Sequence, residues 1–158
     1  MGKINVLYPV VQPEHFNLEG INGCRVDIIT PHVDERGMLT ELINEPSDCA
    51  MSYMAVTHKG KARDIHQWHQ HAIQTDRFYV IAGSCMFALY DGKHQPCILE
   101  MSYRKSYRLT IQPGVYHCYL AWQEDLTIIN FPTHRFNPAD ELRIKFTDLE
   151  VCAPWIQF

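Results

Sequence analysis

The sequence predicts an all-β chain, folded as one antiparallel jelly-roll barrel over residues 1–158. Short apolar runs recur roughly every 8–12 residues, the rhythm of a sandwich or barrel. Proline and glycine punctuate them at regular intervals, as turn residues between strands do. Helical periodicity is nearly absent. The 158 residues make one domain of ordinary size.

In chain order, strands are expected at residues 25–30, 37–43, 52–57 and 76–82. Gly83 closes the last of these. A strand at 85–90 runs into Asp91-Gly92, a hairpin signal. Strands at 96–101, 107–111, 115–120 and 126–131 follow. Two short helical turns are the only candidates of that kind, at 46–50 and from Pro138 to Glu141. An apolar stretch at 4–8 reads as an exposed strand able to pair with a second subunit.

Composition removes several function classes. Charged residues are 20% and hydrophobic ones 46%, which is globular rather than disordered. No apolar run approaches the ~20 residues that span a bilayer, and the N-terminus lacks a secretory core and cleavage site. A cytoplasmic location is expected. A net charge of -4 and a pI near 6.1 argue against nucleic acid or an anionic membrane as partner. The six cysteines form no C-x-x-C pair and read as reduced thiols.

The chemistry concentrates in Arg63-Asp-Ile-His-Gln-Trp-His-Gln-His71. His66, His69 and His71 fall within six residues of a chain that holds nine histidines. Histidine moves protons near neutral pH and is also the commonest metal ligand. One reading is a solvated polar loop. A second is a metal site, in which His69, His71, Asp76 and the distant His117 could hold Zn²⁺, Fe²⁺ or Mn²⁺. The spacing of these four resembles that of metal-binding members of the cupin superfamily, with Asp76 in place of the usual glutamate.

Longer motifs suggest a third reading. Asp34-Glu-Arg-Gly-Met-Leu-Thr-Glu41 resembles D-x-R-G-x-F-x-E, and Arg63-Asp-Ile-His66 resembles R-G-L-H. Gln74-x-Asp76 through Gly83 resembles Q-x-K-L-V-x-V-x-x-G, without a gap from Arg63. Residues 111–119 resemble I-P-x-G-F-A-H-G-F, and 137–141 the Y-x-P-x-x-E that follows. In this order and spacing the motifs resemble the dTDP-4-dehydrorhamnose 3,5-epimerase family of the cupin superfamily.

The resemblance implies a homodimeric jelly roll that works without a metal or other cofactor on a dTDP-linked 4-keto-6-deoxy sugar. It implies His66 as the base that takes a proton next to the ketone, with His117 lining the barrel; under altered chemistry, Asp76 or Asp64 would pair with His66 as acid and base. It implies that Arg36 and Arg63 bind the diphosphate, which a bidentate guanidinium suits. Glu41 and Gln74 join them on the substrate. The chain departs from the family pattern at several positions: Asp76 replaces the lysine that stabilises the enolate, Asn130 and Phe136 replace two tyrosines, Asp64 replaces the glycine of R-G-L-H, and Met51-Ser-Tyr-Met-Ala55 stands for Q-x-N-x-S. An epimerase or isomerase with altered chemistry and a non-catalytic sugar-nucleotide-binding barrel both remain open.

Overall fold

The computed structural model describes residues 4–43, 48–64, 66–148 and 154–157. The strands in chain order are β1 (Ile4–Val6), β2 (Val10–Val11), β3 (Cys24–Ile28), β4 (His32–Asp34), β5 (Gly37–Leu39) and β6 (Tyr53–Thr57). Then come β7 (Gln67–His71), β8 (Asp76–Ala82), β9 (Ser84–Tyr90), β10 (Cys97–Ser102) and β11 (Tyr107–Ile111). The last are β12 (Tyr116–Ala121), β13 (Leu126–Asn130), β14 (Glu141–Lys145) and β15 (Trp155–Gln157). One short helix, α1 (Phe16–Glu19), precedes β3.

Two sheets form the body. One has the order β14-β7-β12-β9-β10-β2, the other β3-β11-β8-β13-β6. All their pairings are antiparallel except β10 with β2. This is the expected jelly-roll arrangement. It follows from alternation, because successive side chains of a strand face opposite sides. Phe78 and Val80 of β8, Phe87 and Leu89 of β9, and Leu109 and Ile111 of β11 meet in the core. The outer face of the six-stranded sheet is also apolar. There Trp68, Met86, Ala88, Cys118 and Leu120 form a second cluster under Trp155.

Several boundaries follow from local chemistry. β8 and β11 lie where the alternation put them. β9 and β10 are antiparallel neighbours joined at Asp91-Gly92, where Gly92 has φ +82° and Asp91 accepts from the N–H groups of Lys93 and His94. At Gly83, with φ +80°, the chain passes from one sheet to the other. A Cβ there would lie 2.1 Å from the Asp125 carbonyl oxygen, so only glycine fits.

Other expectations change. The run at 37–43 is strand only to Leu39 and pairs with β4 in a separate two-stranded hairpin. The helical turn expected at 46–50 lies partly outside the described residues, and 48–50 are not helical. Residues 138–140 form a turn, with the Asp140 N–H donating to the Asn137 carbonyl at 3.0 Å. The strand at 4–6 pairs with this chain's own β15. Five cysteines are free thiols, and Cys152 lies outside the described residues. Among the described residues no helix is long and apolar enough to cross a membrane.

Candidate active site

At one end of the barrel the apolar core gives way to an open cavity of about 580 Å³, within the usual range for ligand sites. Strand parity builds it. On β7 the odd positions face inward, so His69 and His71 enter the barrel while Trp68 is buried on the opposite side. β12 lies beside β7 with His117 in register with His69. The His69 and His117 rings stack, with centroids 5.1 Å apart and planes 20° from parallel. The centroids of His69 and His71 are 4.5 Å apart.

Asp76 opens β8 at the centre of this cluster and is only 2% exposed. Its Oδ1 accepts from Gln74 Nε2 and Asn130 Nδ2, each at 2.8 Å. Its Oδ2 lies 3.5 Å from His71 Nε2 and 3.6 Å from His117 Nε2. Asn130 Nδ2 also donates to the Tyr53 hydroxyl at 3.0 Å. Burial pushes the Tyr53 hydroxyl up to about 12, partly offset by that Asn130 bond, so the phenol keeps its proton.

The imidazoles differ from one another. Burial first, then the neighbouring His117, His71 and Arg143, pull His69 down to about 2. Its Nε2 is buried without a hydrogen bond, 3.7 Å from Glu141 Oε1. Burial also lowers His117, against the opposing pull of Asp76 and of the Val115 carbonyl that its Nδ1 touches at 3.1 Å. Arg143, opposite His69 on β14, bridges Asp64 and Glu141 at the cavity wall.

The structure brings Asp76, His117, Gln74 and Arg63 to this cavity. Arg63 is exposed at its margin. His66 is not among the lining residues. It is exposed, precedes β7, and has the parity of Trp68, and its carbonyl accepts from the Phe146 N–H at 3.0 Å on the outer side of the sheet. By strand parity His66 falls on the side of Trp68, away from the cavity lining that His69 and His71 join. Arg36 and Glu41 are exposed and do not line the cavity. Arg36 folds back on Asp34 in the β4–β5 turn. Tyr53, one of four tyrosines that the sequence offers as an acid, lines the cavity, whereas motif spacing gives no role to Asp140, Glu141 or Arg143 and gives His69 and His71 one only as metal ligands. The period of two along Gln67–His71 was the signal that separates His69 and His71 from His66.

No family model matches the chain. The spore coat polysaccharide biosynthesis protein SpsL of Bacillus subtilis (strain 168) is 30% identical over 145 residues, covering 85% of this chain and 96% of that protein. Among solved structures, the 3'-monoepimerase ChmJ from Streptomyces bikiniensis in complex with dTDP-quinovose superposes with a TM-score of 0.70. It is 19% identical over 87% of this chain and 73% of that one. The TDP-quinovose 3,4-ketoisomerase WlaRB from Campylobacter jejuni also gives 0.70, at 20% identity over 78% and 95% of the two chains. The barrel expected from the sequence is thus the fold of sugar-nucleotide epimerases and ketoisomerases.

Proposed function

Because the chain belongs to the family of the Bacillus subtilis protein SpsL, we propose that it is an epimerase or ketoisomerase of a dTDP-linked 4-keto-6-deoxy sugar. The observation that carries this reading is the convergence of three imidazoles and the buried Asp76 on one open cavity. Moving a proton next to a ketone needs a positioned base and a positioned acid, and the cavity offers both.

His71 is the base. Its ring lines the cavity, and its Nε2 accepts from Gln74 Nε2 at 3.1 Å rather than being tied up by backbone. Tyr53 is the proton donor, since Asn130 occupies its oxygen as acceptor and leaves the phenolic hydrogen free. Asn130, which stands at a family tyrosine position, thus orients a tyrosine from the neighbouring strand β6. Arg63 at the margin takes the diphosphate. No lysine lines the cavity among the described residues, so stabilisation of the enolate falls to hydrogen-bond donors such as Tyr53.

The enzyme works as a homodimer in the cytoplasm. The exposed Val33, Met38 and Leu39 of the β4–β5 hairpin supply an apolar contact for a second copy, and Arg36 sits on that same hairpin.

The test is NMR of a dTDP-4-keto-6-deoxy sugar in D₂O. Deuterium should enter at a carbon next to the ketone with the wild-type protein, should vanish with His71→Ala, and should persist with His66→Ala. No exchange by wild type, with dTDP still raising the melting temperature, would leave only a binding barrel.

A second reading has one observation behind it. His69, His71 and Glu141 each offer a ligand atom, and these atoms lie within 4.8 Å of one another. Two imidazoles and a carboxylate suit a divalent transition metal. Elemental analysis of untagged protein decides it, and less than about a tenth of an equivalent of metal would reject it.

A further inference from the structure

The turn between β7 and β8 is fixed by a carboxylate from a distant part of the sequence. Asp140 lies just before β14, whose first residue, Glu141, is in register with His71. Asp140 Oδ1 accepts from the N–H groups of Ala72 at 3.0 Å and Ile73 at 2.8 Å, and its Oδ2 from that of Gln74 at 3.3 Å. Three backbone N–H groups converging on one carboxylate pin Asp140 in place. Its Oδ2 lies 3.2 Å from His71 Nδ1, bent away from an ideal hydrogen-bond line.

The other side of the imidazole completes the logic. Gln74 Nε2 lies 2.8 Å from Asp76 Oδ1 and 3.1 Å from His71 Nε2. A side-chain amide nitrogen carries two hydrogens, one for each of these partners. The opposite amide orientation would set an oxygen against the Asp76 carboxylate, so the network selects this one. His71 Nε2 is then an acceptor, and the proton of a neutral ring must sit on Nδ1, beside Asp140.

We propose that Asp140 is a positioning residue that holds His71 in the Nδ1–H tautomer and keeps the Nε2 lone pair facing the cavity. The catalytic consequence rests on the reading of His71 as the base. Gln74 acts as the placeholder at Nε2. Its bond to Asp76 keeps it in place when a substrate C–H takes over that lone pair. Asp140 and Glu141 thus serve successive inward histidines of β7, the first at His71 and the second at His69.

The experiment is long-range ¹H–¹⁵N NMR of protein labelled with ¹⁵N-histidine, without substrate. Wild type should show a protonated Nδ1 and an unprotonated Nε2 at His71. Asp140→Asn can still accept from the turn through its oxygen, but it presents an amide donor to His71 Nδ1. That variant should move the proton to Nε2 while the backbone spectrum stays folded. In the exchange assay its kcat should fall about 10²-fold, with KM changing less than about 3-fold. A wild-type proton on Nε2, or nitrogen shifts that Asp140→Asn leaves unchanged, overturns the proposal. The first of these needs no variant at all. The expected nitrogen pattern without deuterium exchange by either protein would uphold the positioning role and sink the catalytic reading.

Discussion

The cavity wall around β7 and the β4–β5 hairpin are both short strands with chemically active side chains, but different forces hold them. The wall is packed on both faces by this chain's own side chains. Trp68 anchors β7 from behind with no exposed surface, while Asp76, Asp140 and Gln74 fix the histidines in front. The hairpin pairs only with itself, and Val33, Met38 and Leu39 are 72%, 66% and 60% exposed. The difference teaches that a motif is a working site only where burial locks its rotamers. The wall is preorganised by burial, whereas Arg36 on the hairpin leans on an exposed Asp34 in solvent.

The largest effects should come from the wall's chemistry. His71→Ala should lower the exchange rate by about 10²–10⁴-fold, while His66→Ala stays within about twofold. Equal losses in the two variants would erase the distinction that parity makes between them. Next is the wall's anchor. Trp68→Ala should destabilise the fold by about 3–5 kcal/mol in urea unfolding, against less than about 0.5 kcal/mol for Val33→Ser on the hairpin.

A pH series sharpens the contrast further. His69 is drawn down to about 2 in the fold, chiefly by burial, but in the unfolded chain it titrates near the ordinary ~6.5. Below that value the unfolded state binds the extra proton. The stability associated with neutral His69 is therefore complete above about pH 6.5 and drains away as pH falls toward 2. The slope approaches about 1.4 kcal/mol per pH unit, and burial of His117 acts in the same direction. Urea midpoints from pH 7 to 4.5 should show this acid limb, and His69→Gln should flatten it. The smallest effect on stability belongs to Met38→Glu, which should stay within about 0.5 kcal/mol. The same substitution should halve the mass in solution, and an unchanged dimer would place the subunit contact elsewhere.

Much of the barrel was legible because its strands alternate cleanly. β8 and β11 needed only the pattern of Asp76–Ala82 and Tyr107–Ile111. β7 lacks a legible strand pattern, since Gln67–His71 carries one apolar residue and its inward positions are polar. β2, β14 and β15 are short or pair at a sheet edge, where little apolar alternation is required. In the site, Asp76, His117, Gln74 and Arg63 were reachable from motif spacing. Asp140 was not, because its role arises from a contact across 69 positions with His71. Tyr53 gains its role only through Asn130 on the next strand.

The pairing of β1 with β15 has a mechanical consequence. Ile4 lies opposite Gln157, and Val6 opposite Trp155, so the free ends of the two strands meet at the same end of their ladder. A force applied between Ile4 and Gln157 would load those hydrogen bonds one after another, as in opening a zipper, rather than all at once in shear. The first event under tension would therefore be the parting of β1 and β15, which withdraws Trp155 from the outer apolar cluster. The two sheets of the barrel would bear load only after that pair had parted.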